Sequence, residues 1–159
     1  MALTISTKRN SMLIYIIGIG LLTGTLDALG AVVSAWNIPA DSIFRYIASG
    51  IFGKAAFTGG DEMVVWGVLF HYATAFAFTT IFFLLHPMFY SWFRNSVITA
   101  IFYGIIIWAV MNLAIVPLSH IQPHPLALIP ALKACSILIV CLGLPISLIA
   151  TDYYFYKAK

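Results

Sequence analysis

Four long apolar segments dominate the chain, and short polar stretches separate them. They cover approximately residues 12–35, 61–86, 96–118 and 126–153. A helix rises 1.5 Å per residue, so about 20 residues cross the roughly 30 Å hydrocarbon core of a bilayer. Helices are expected because open strands leave backbone groups unpaired in lipid. The pattern predicts an all-α membrane protein, a four-transmembrane-helix antiparallel bundle that forms a single domain over residues 1–159.

The connection between the first two segments has a different pattern. Pro39 suits a first helical turn, and Asp41 lies where a helix dipole favours an acid. Apolar residues recur at helical spacing and polar or small residues mark the opposite face: Ile43, Phe44, Ile47, Ile51 and Phe52 against Ser42, Arg45, Ser49 and Gly53. This predicts a short amphipathic helix over about residues 39–54, flat on the membrane surface or, as the alternative, re-entrant.

Composition supports the membrane assignment and limits the partners. The chain is 62% hydrophobic and 8% charged, whereas soluble domains are about 25% charged. The net charge is +3 without a dense run of Lys or Arg, so we expect no nucleic-acid partner. The expected partner is the lipid bilayer. Small-residue faces on the helices leave open a homo-oligomer or a partner membrane protein.

The distribution of positive charge predicts the orientation of the chain. The N-terminus resembles a signal sequence, but its apolar stretch continues to Ala35, well beyond a typical signal core of roughly 7 to 15 residues. We therefore expect it to stay as the first spanning helix. The positive-inside rule places both termini in the cytoplasm, because one side carries Lys8, Arg9, Arg94, Lys157 and Lys159 while the other carries Arg45 and Lys54.

One carboxylate, Asp27, interrupts the first apolar segment. A charged Asp at the centre of a membrane helix costs about 2.5 to 3.5 kcal/mol on insertion scales, so it needs a compensating role. It belongs to a face of small and polar residues that includes Gly20, Gly24, Ala31 and Ser34. Such faces allow membrane helices to pack closely.

The other three helices each have one polar stripe. Helix rise places Asp27 about 12 Å, His71 about 15 Å and Asn112 about 8 Å from the outer ends of their helices, with Lys133 at roughly 5 to 10 Å. All lie in the outer half of the bundle. The stripes are Gly67, His71 and Thr74; Gly104, Trp108 and Asn112; and Lys133, Ser136, Val140, Gly143 and Ser147. We predict a ligand or ion cluster of Asp27, His71, Asn112, Lys133, Thr23, Thr74 and Arg45.

The cluster has more than one interpretation. Its members can satisfy one another, with Asp27 paired to Lys133 or His71, and so fix the register of the bundle. Intramembrane ionisable groups also mark paths, so the leading functional hypothesis is the binding or passage of a proton, an ion or a small polar solute. The alternatives are a non-catalytic structural or assembly subunit and, less favoured, a lipid-binding or membrane-embedded enzyme with His71 as base.

We expect no cofactor and no metal. Haem between two histidines needs ligands on facing helices at one depth, and His71 has no such partner because His86 is predicted at the opposite end. His120 and His124 lie in the outer loop, where Pro123 and Pro125 favour an extended chain.

Four stretches of the chain resemble the YagU-like family of small bacterial inner-membrane proteins. They are LTGTLDALGA at 22–31, RYIASGIFGKAAFTGG at 45–60, GVLFHYATAFAFTTIFF at 67–83 and YGIIIWAVMNLAIVPLS at 103–119. The resemblance implies a location in the bacterial inner membrane. It also implies that Asp27, His71, Asn112, Pro117 and the segment 48–50 lie in recognisable motifs, but it brings no settled activity.

Overall fold

In the computed structural model, residues 2–121 and 127–156 are described, and they form helices with no strand among them. Four helical spans in this part are long and apolar enough to cross a membrane. The chain is therefore a multi-pass membrane protein, and the predicted all-α four-helix architecture is confirmed. The helices are α1 (Ala2–Ser34), α2 (Ala40–Phe52), α3 (Ala55–Thr58), α4 (Glu62–Phe93), α5 (Ser96–Leu118) and α6 (Leu128–Phe155).

The four long helices form an antiparallel ring in which α1 and α5 each pack against α4 and α6. Glycines allow these approaches. On α1, a Cβ at Gly24 would come within 2.9 Å of the Tyr72 ring on α4, and one at Gly30 within 2.8 Å of Ile137 on α6. Gly104 of α5 lies against the backbone of α6 at Ile139. The small-residue faces thus form helix–helix contacts within the chain.

The two ends of the bundle differ. The end at which α2 packs, called here the α2 end, includes the C-terminus of α1. The other, the hairpin end, contains the turn between α4 and α5. There Arg94 has a φ of 49° and its N–H bonds the Tyr90 carbonyl at 2.7 Å, while the Asn95 side chain accepts hydrogen bonds from the first turn of α5. This left-handed residue and the Asn cap make the connection very short.

The sequence-based end of the second span, residue 86, is wrong, because α4 continues through Pro87 to Phe93. The additional turns are held by aromatic packing. Phe89 is buried, and its ring lies 5.8 Å from Phe102 and 6.5 Å from Tyr103 on α5. This packing places His86 inside the bundle instead of at its edge.

Both α5 and α6 contain a π-helical turn shortly before a proline. The turns are Met111–Ile115 before Pro117 and Ile139–Gly143 before Pro145. A proline cannot donate a backbone hydrogen bond and its ring crowds the preceding turn, so a locally widened turn accommodates it.

Helix α2 forms close to the predicted bounds, and it packs mainly against α4. The two backbones touch at Gly67, where a Cβ would overlap the carbonyl oxygen of Phe44. The predicted faces are partly wrong. Ser49 is only 4% exposed and Ile51 is 58% exposed, because α2 turns small residues towards the protein and leaves an apolar residue outside.

Candidate functional site

A cavity of about 90 Å³ lies within the bundle towards the α2 end. A water molecule occupies about 30 Å³ of liquid, so the cavity has room for about three waters. Three of its lining side chains, Asp27, His71 and Thr74, are polar and the rest are apolar. The apolar ones come from α2, α4, α5 and α6: Ile47, Ala75, Phe78, Ile107, Met111, Leu138 and Leu142.

The Asp27 carboxylate lies in this cavity seven residues from the end of α1, about 10 Å along the helix. Its charge interacts with His71. No hydrogen bond to the carboxylate is made within the part of the chain that the structure describes. The acid is thus held in a largely apolar wall without a donor of its own, which is a costly arrangement in a membrane.

The His71 imidazole is fixed from two sides. Its Nε2 lies 2.8 Å from the Gly24 carbonyl oxygen, and because a carbonyl can only accept, Nε2 carries a proton. The Phe44 ring of α2 approaches edge-on, with ring centroids 6.3 Å apart. With Nε2 donating to α1, Nδ1 is the acceptor nitrogen of the neutral ring.

The two predicted threonines have different positions. Thr74 lines the cavity and donates to the Phe70 carbonyl at 2.8 Å, so its oxygen lone pairs can still accept. Thr23 is fully buried. It donates to Ile19 at 2.8 Å, and its oxygen lies 3.3 Å from the Thr79 hydroxyl on α4. Thr74 therefore belongs to the site, whereas Thr23 links two helices one turn deeper.

Lys133 does not reach Asp27. Its ammonium group donates to the backbone carbonyl of Ser34, and the side chain is exposed. The last carbonyls of a helix lack partners and carry partial negative charge, so a lysine is favoured there. The predicted pairing of Asp27 with Lys133 is replaced by a cap on the C-terminus of α1.

Asn112 is also outside the cavity, because its amide donates to the Trp108 carbonyl of its own helix at 2.9 Å. Its neighbour Met111 lines the cavity instead. Both residues belong to the π turn of α5, which alters the angular position of residues relative to a regular α-helix.

Arg45 ties α2 to the connection that leads into α4. One terminal nitrogen donates to the carbonyls of Ala56, Gly59 and Gly60 at 3.3, 2.7 and 3.0 Å. Its guanidinium also lies 3.5 Å from Asp61 and 3.9 Å from Asp41. Its partners are outside the cavity, so this arginine holds the segment that covers the site.

A second polar group, at the hairpin end, was missed by sequence reasoning. His86 is fully buried and its Nε2 lies 3.0 Å from the Thr151 hydroxyl of α6. The sequence does contain a signal. His86 follows His71 by 15 residues, close to four helical turns, so both face the interior of the bundle once α4 extends past residue 86.

The described residues contain no group of three or more His, Cys, Asp or Glu side chains that could hold a metal ion. His124 of the outer loop lies outside the described residues. No family model, curated protein or solved structure matches the chain. The resemblance to the YagU-like family stays a prediction.

Proposed function

We propose that this membrane protein binds and passes protons at the cavity shared by Asp27 and His71. The observation that carries the proposal is that a carboxylate and an imidazole face one small, partly open cavity with no other charged group in its described lining. Carboxylate and imidazole both exchange protons with water, and intramembrane acids and histidines commonly form proton relays.

The size of the cavity favours a proton over a solute. Ligand pockets for small organic molecules usually have about 300 to 1,000 Å³, and this one has about 90 Å³. A few waters fill it, and a sugar or an amino acid does not fit without opening of the bundle.

The donor set favours a proton over a metal cation. Calcium takes about six to eight oxygen ligands, and magnesium requires a nearly octahedral set. The cavity offers the Asp27 carboxylate and the Thr74 hydroxyl, and its remaining lining is apolar apart from His71. Such a site supplies too few oxygens to replace the hydration shell of a divalent ion.

The alternative of an assembly subunit loses part of its support. It depended on small-residue faces free for another helix, but Gly20, Gly24 and Gly30 of α1 are covered by side chains of α4 and α6. Gly104 and Gly143 are likewise covered within the bundle.

We further propose a location in the bacterial inner membrane, with both termini in the cytoplasm and the α2 end towards the periplasm. The distribution of Lys and Arg between the connections supports this orientation. In that orientation the Asp27 cavity exchanges protons with the periplasmic side, and α2 lies between the cavity and that side.

The test is Asp27→Asn in proteoliposomes that contain a pH-sensitive dye, with a potential imposed by potassium and valinomycin. Asn has nearly the same shape as Asp but does not titrate, so we expect proton flux to fall by at least about tenfold. Asp41→Asn makes the same chemical change on α2 outside the cavity. Asp41 is 55% exposed and lies 3.9 Å from Arg45, and exposed pairs of this kind contribute little, so its flux should match that of the wild type.

Thermal unfolding in detergent separates this proposal from a structural role. If Asp27 is a proton site, Asp27→Asn removes a carboxylate that has no hydrogen-bond donor, so the unfolding temperature should stay the same or rise. A clear fall in that temperature, together with unchanged flux, would show that the pair only stabilises the bundle.

A further inference from the structure

The hairpin end contains a hydroxyl network formed by Ser96 of α5 with Ser147 and Thr151 of α6. Ser147 donates to the Ser96 carbonyl at 2.8 Å, and Thr151 donates to the Ser147 carbonyl at 2.7 Å. The Ser96 and Thr151 hydroxyl oxygens are 2.9 Å apart. His86 of α4 joins this network through Thr151 at 3.0 Å.

The network fixes the protonation of His86. We assign the single proton of the Thr151 hydroxyl to the Ser147 carbonyl, which lies at the shortest of its three contacts, so that Ser96 and His86 donate to Thr151. The His86 ring therefore carries a proton on Nε2. Its Nδ1 is buried and has no hydrogen-bond partner in the part of the chain that the structure describes.

An unpartnered acceptor in a fully buried ring is an exception that calls for a reason. Buried polar atoms are nearly always paired, and leaving one unpaired costs free energy. A structural role for His86 needs only the Nε2 donor. The Nδ1 lone pair is not needed for such a role, so it is a free base inside the bundle.

Aromatic rings surround this base on both sides. Towards the hairpin end, Tyr90 and Phe155 lie 5.7 and 6.4 Å from the His86 ring and 4.6 Å from each other. Phe155 is 39% exposed, so one layer of rings separates the imidazole from the surroundings. Within the described ranges, the titratable rings that lie against His86 are Tyr90 of α4 and Tyr154 of α6. The Thr151 hydroxyl contacts the imidazole, and the Ser96 hydroxyl contacts Thr151.

Towards the cavity, a second layer separates His86 from Asp27 and His71. The Phe82 ring lies 5.3 Å from His86 and 3.8 Å from the ring of Tyr103. The Tyr103 hydroxyl donates to the carbonyl of Phe78, whose side chain lines the cavity. The Phe82 and Tyr103 layer thus has the Asp27 cavity on one side and the His86 ring on the other.

We infer that His86 is a second proton-binding site, which takes up a proton on Nδ1 from the hairpin end of the bundle. The inference rests on the proposed function in one respect. It assumes that the Asp27 cavity and His86 belong to one proton path, which the Phe82 and Tyr103 layer interrupts. Protonation forms a new N–H bond on Nδ1 and converts the neutral ring to imidazolium. The proton comes from hydronium at the hairpin end, whose O–H bond breaks to leave water.

The first experiment compares His86→Gln with the wild type in the proteoliposome assay. Glutamine retains an amide donor for Thr151 and an acceptor oxygen, but it does not take up a proton. We expect proton flux to fall by at least about tenfold. The control is His120→Gln, the same change at an exposed histidine next to α5, for which flux should be unchanged.

The second experiment reads the ring directly, by ¹⁵N NMR of histidine-labelled protein in nanodiscs over a pH series. The resonances that are missing in His86→Gln identify the residue. We expect the neutral Nε2-protonated tautomer first and imidazolium at lower pH, while the protein remains folded. A ring that never titrates in the folded protein would overturn the inference.

The two proposals fail in different ways. If Asp27→Asn loses flux and His86→Gln retains it, the proton path exists without His86, so the inference is wrong and the proposed function stands. If the wild type carries no proton flux, the proposed function is wrong. Titration of the His86 ring in the NMR series then still supports a proton-binding site there, and its absence overturns it.

Discussion

Asp27 and Thr23 are one helical turn apart on α1, but their side chains have opposite roles. The Thr23 hydroxyl is fully buried and has two partners, Ile19 on its own helix and Thr79 on α4. The Asp27 carboxylate faces a cavity that has room for water. The Thr23 contact is thus neutral and paired, whereas Asp27 brings a charge into the bundle interior without a hydrogen-bond donor among the described residues.

The Thr23 and Thr79 pair gives a test of this distinction. Thr→Val keeps the shape and removes the hydroxyl, so a double-mutant cycle isolates the interhelical hydrogen bond. Such bonds average about 0.6 kcal/mol in membrane proteins, and we expect a coupling energy of that order from reversible unfolding in detergent. Proton flux should be unaffected. A coupling of several kcal/mol, or a loss of flux, would contradict the assignment of Thr23 to structure.

Of the four predicted site residues on α1 and α4, three line the cavity and one, Thr23, does not. Asp27, His71 and Thr74 do share a cavity. Lys133 does not, because its long side chain finds unpaired carbonyls at the end of α1 nearby, and these attract a cation without burying it. A sequence shows the reach of a lysine but not which of several partners within reach it binds.

At the scale of elements, the π turns explain why two predicted stripes are misplaced. On α6, Lys133, Ser136 and Val140 precede or lie in the turn and are exposed, whereas Gly143 and Ser147 at its end and beyond are buried. A π turn inserts about one extra residue into a helix, so a stripe extrapolated at regular spacing moves to another face. The position of such a turn depends on tertiary packing, which the sequence pattern does not encode.

Helix α2 shows a different limit. Amphipathic patterning assumes that a polar face meets water, but here Ser49 is buried against protein and Ile51 is exposed. In a membrane protein the exposed side can be apolar because lipid is the solvent, and small residues allow the closest helix contacts. The bounds of α2 were predictable, but its buried face was not.

The contact between α2 and α4 depends on Gly67. In Gly67→Ala the new methyl group would overlap the Phe44 carbonyl, which belongs to a helix backbone and cannot rotate away. We expect a loss of about 1 to 3 kcal/mol in the free energy of unfolding, as for other overpacked sites, and greater solvent access at Asp27.

The matched control for this variant is Gly18→Ala, because nothing lies within 4 Å of its Cβ position. Alanine is favoured over glycine within a helix by roughly 0.5 to 1 kcal/mol, so this variant should be as stable as the wild type or more so. Both measurements are made by thermal unfolding in detergent. Equal effects of the two substitutions would mean that Gly67 is not a packing site.

At the scale of the whole molecule, the orientation in the membrane is the property that most affects function. The positive-inside rule predicts that both termini and the Arg94 turn lie in the cytoplasm. Fusions of alkaline phosphatase and of green fluorescent protein after residues 37, 94 and 159 test this. We expect phosphatase activity for the first fusion and fluorescence for the other two. The reverse pattern would reverse the side to which each of the two proposed proton sites opens.

The overall architecture was predictable because length and apolarity decide it. Four consecutive segments of sufficient length can be arranged in few ways when neighbours in sequence pack side by side, and an antiparallel ring is the simplest. The two interior polar sites were less predictable from the sequence. The Asp27 cavity depends on Ile47 from α2 and Leu142 from a π turn, and the His86 network depends on α4 continuing past Pro87.

The packing of α2 has a consequence for the order in which the protein assembles. Its partners are α4, at Gly67, and the segment after α5, where the His120 N–H bonds the Gly50 carbonyl at 3.0 Å. Both are synthesised after α2, and chains fold from the N-terminus as they emerge. During translation α2 therefore lacks these packing partners until α4 and α5 have been inserted. We expect α2 to pack over the Asp27 cavity only late in biogenesis.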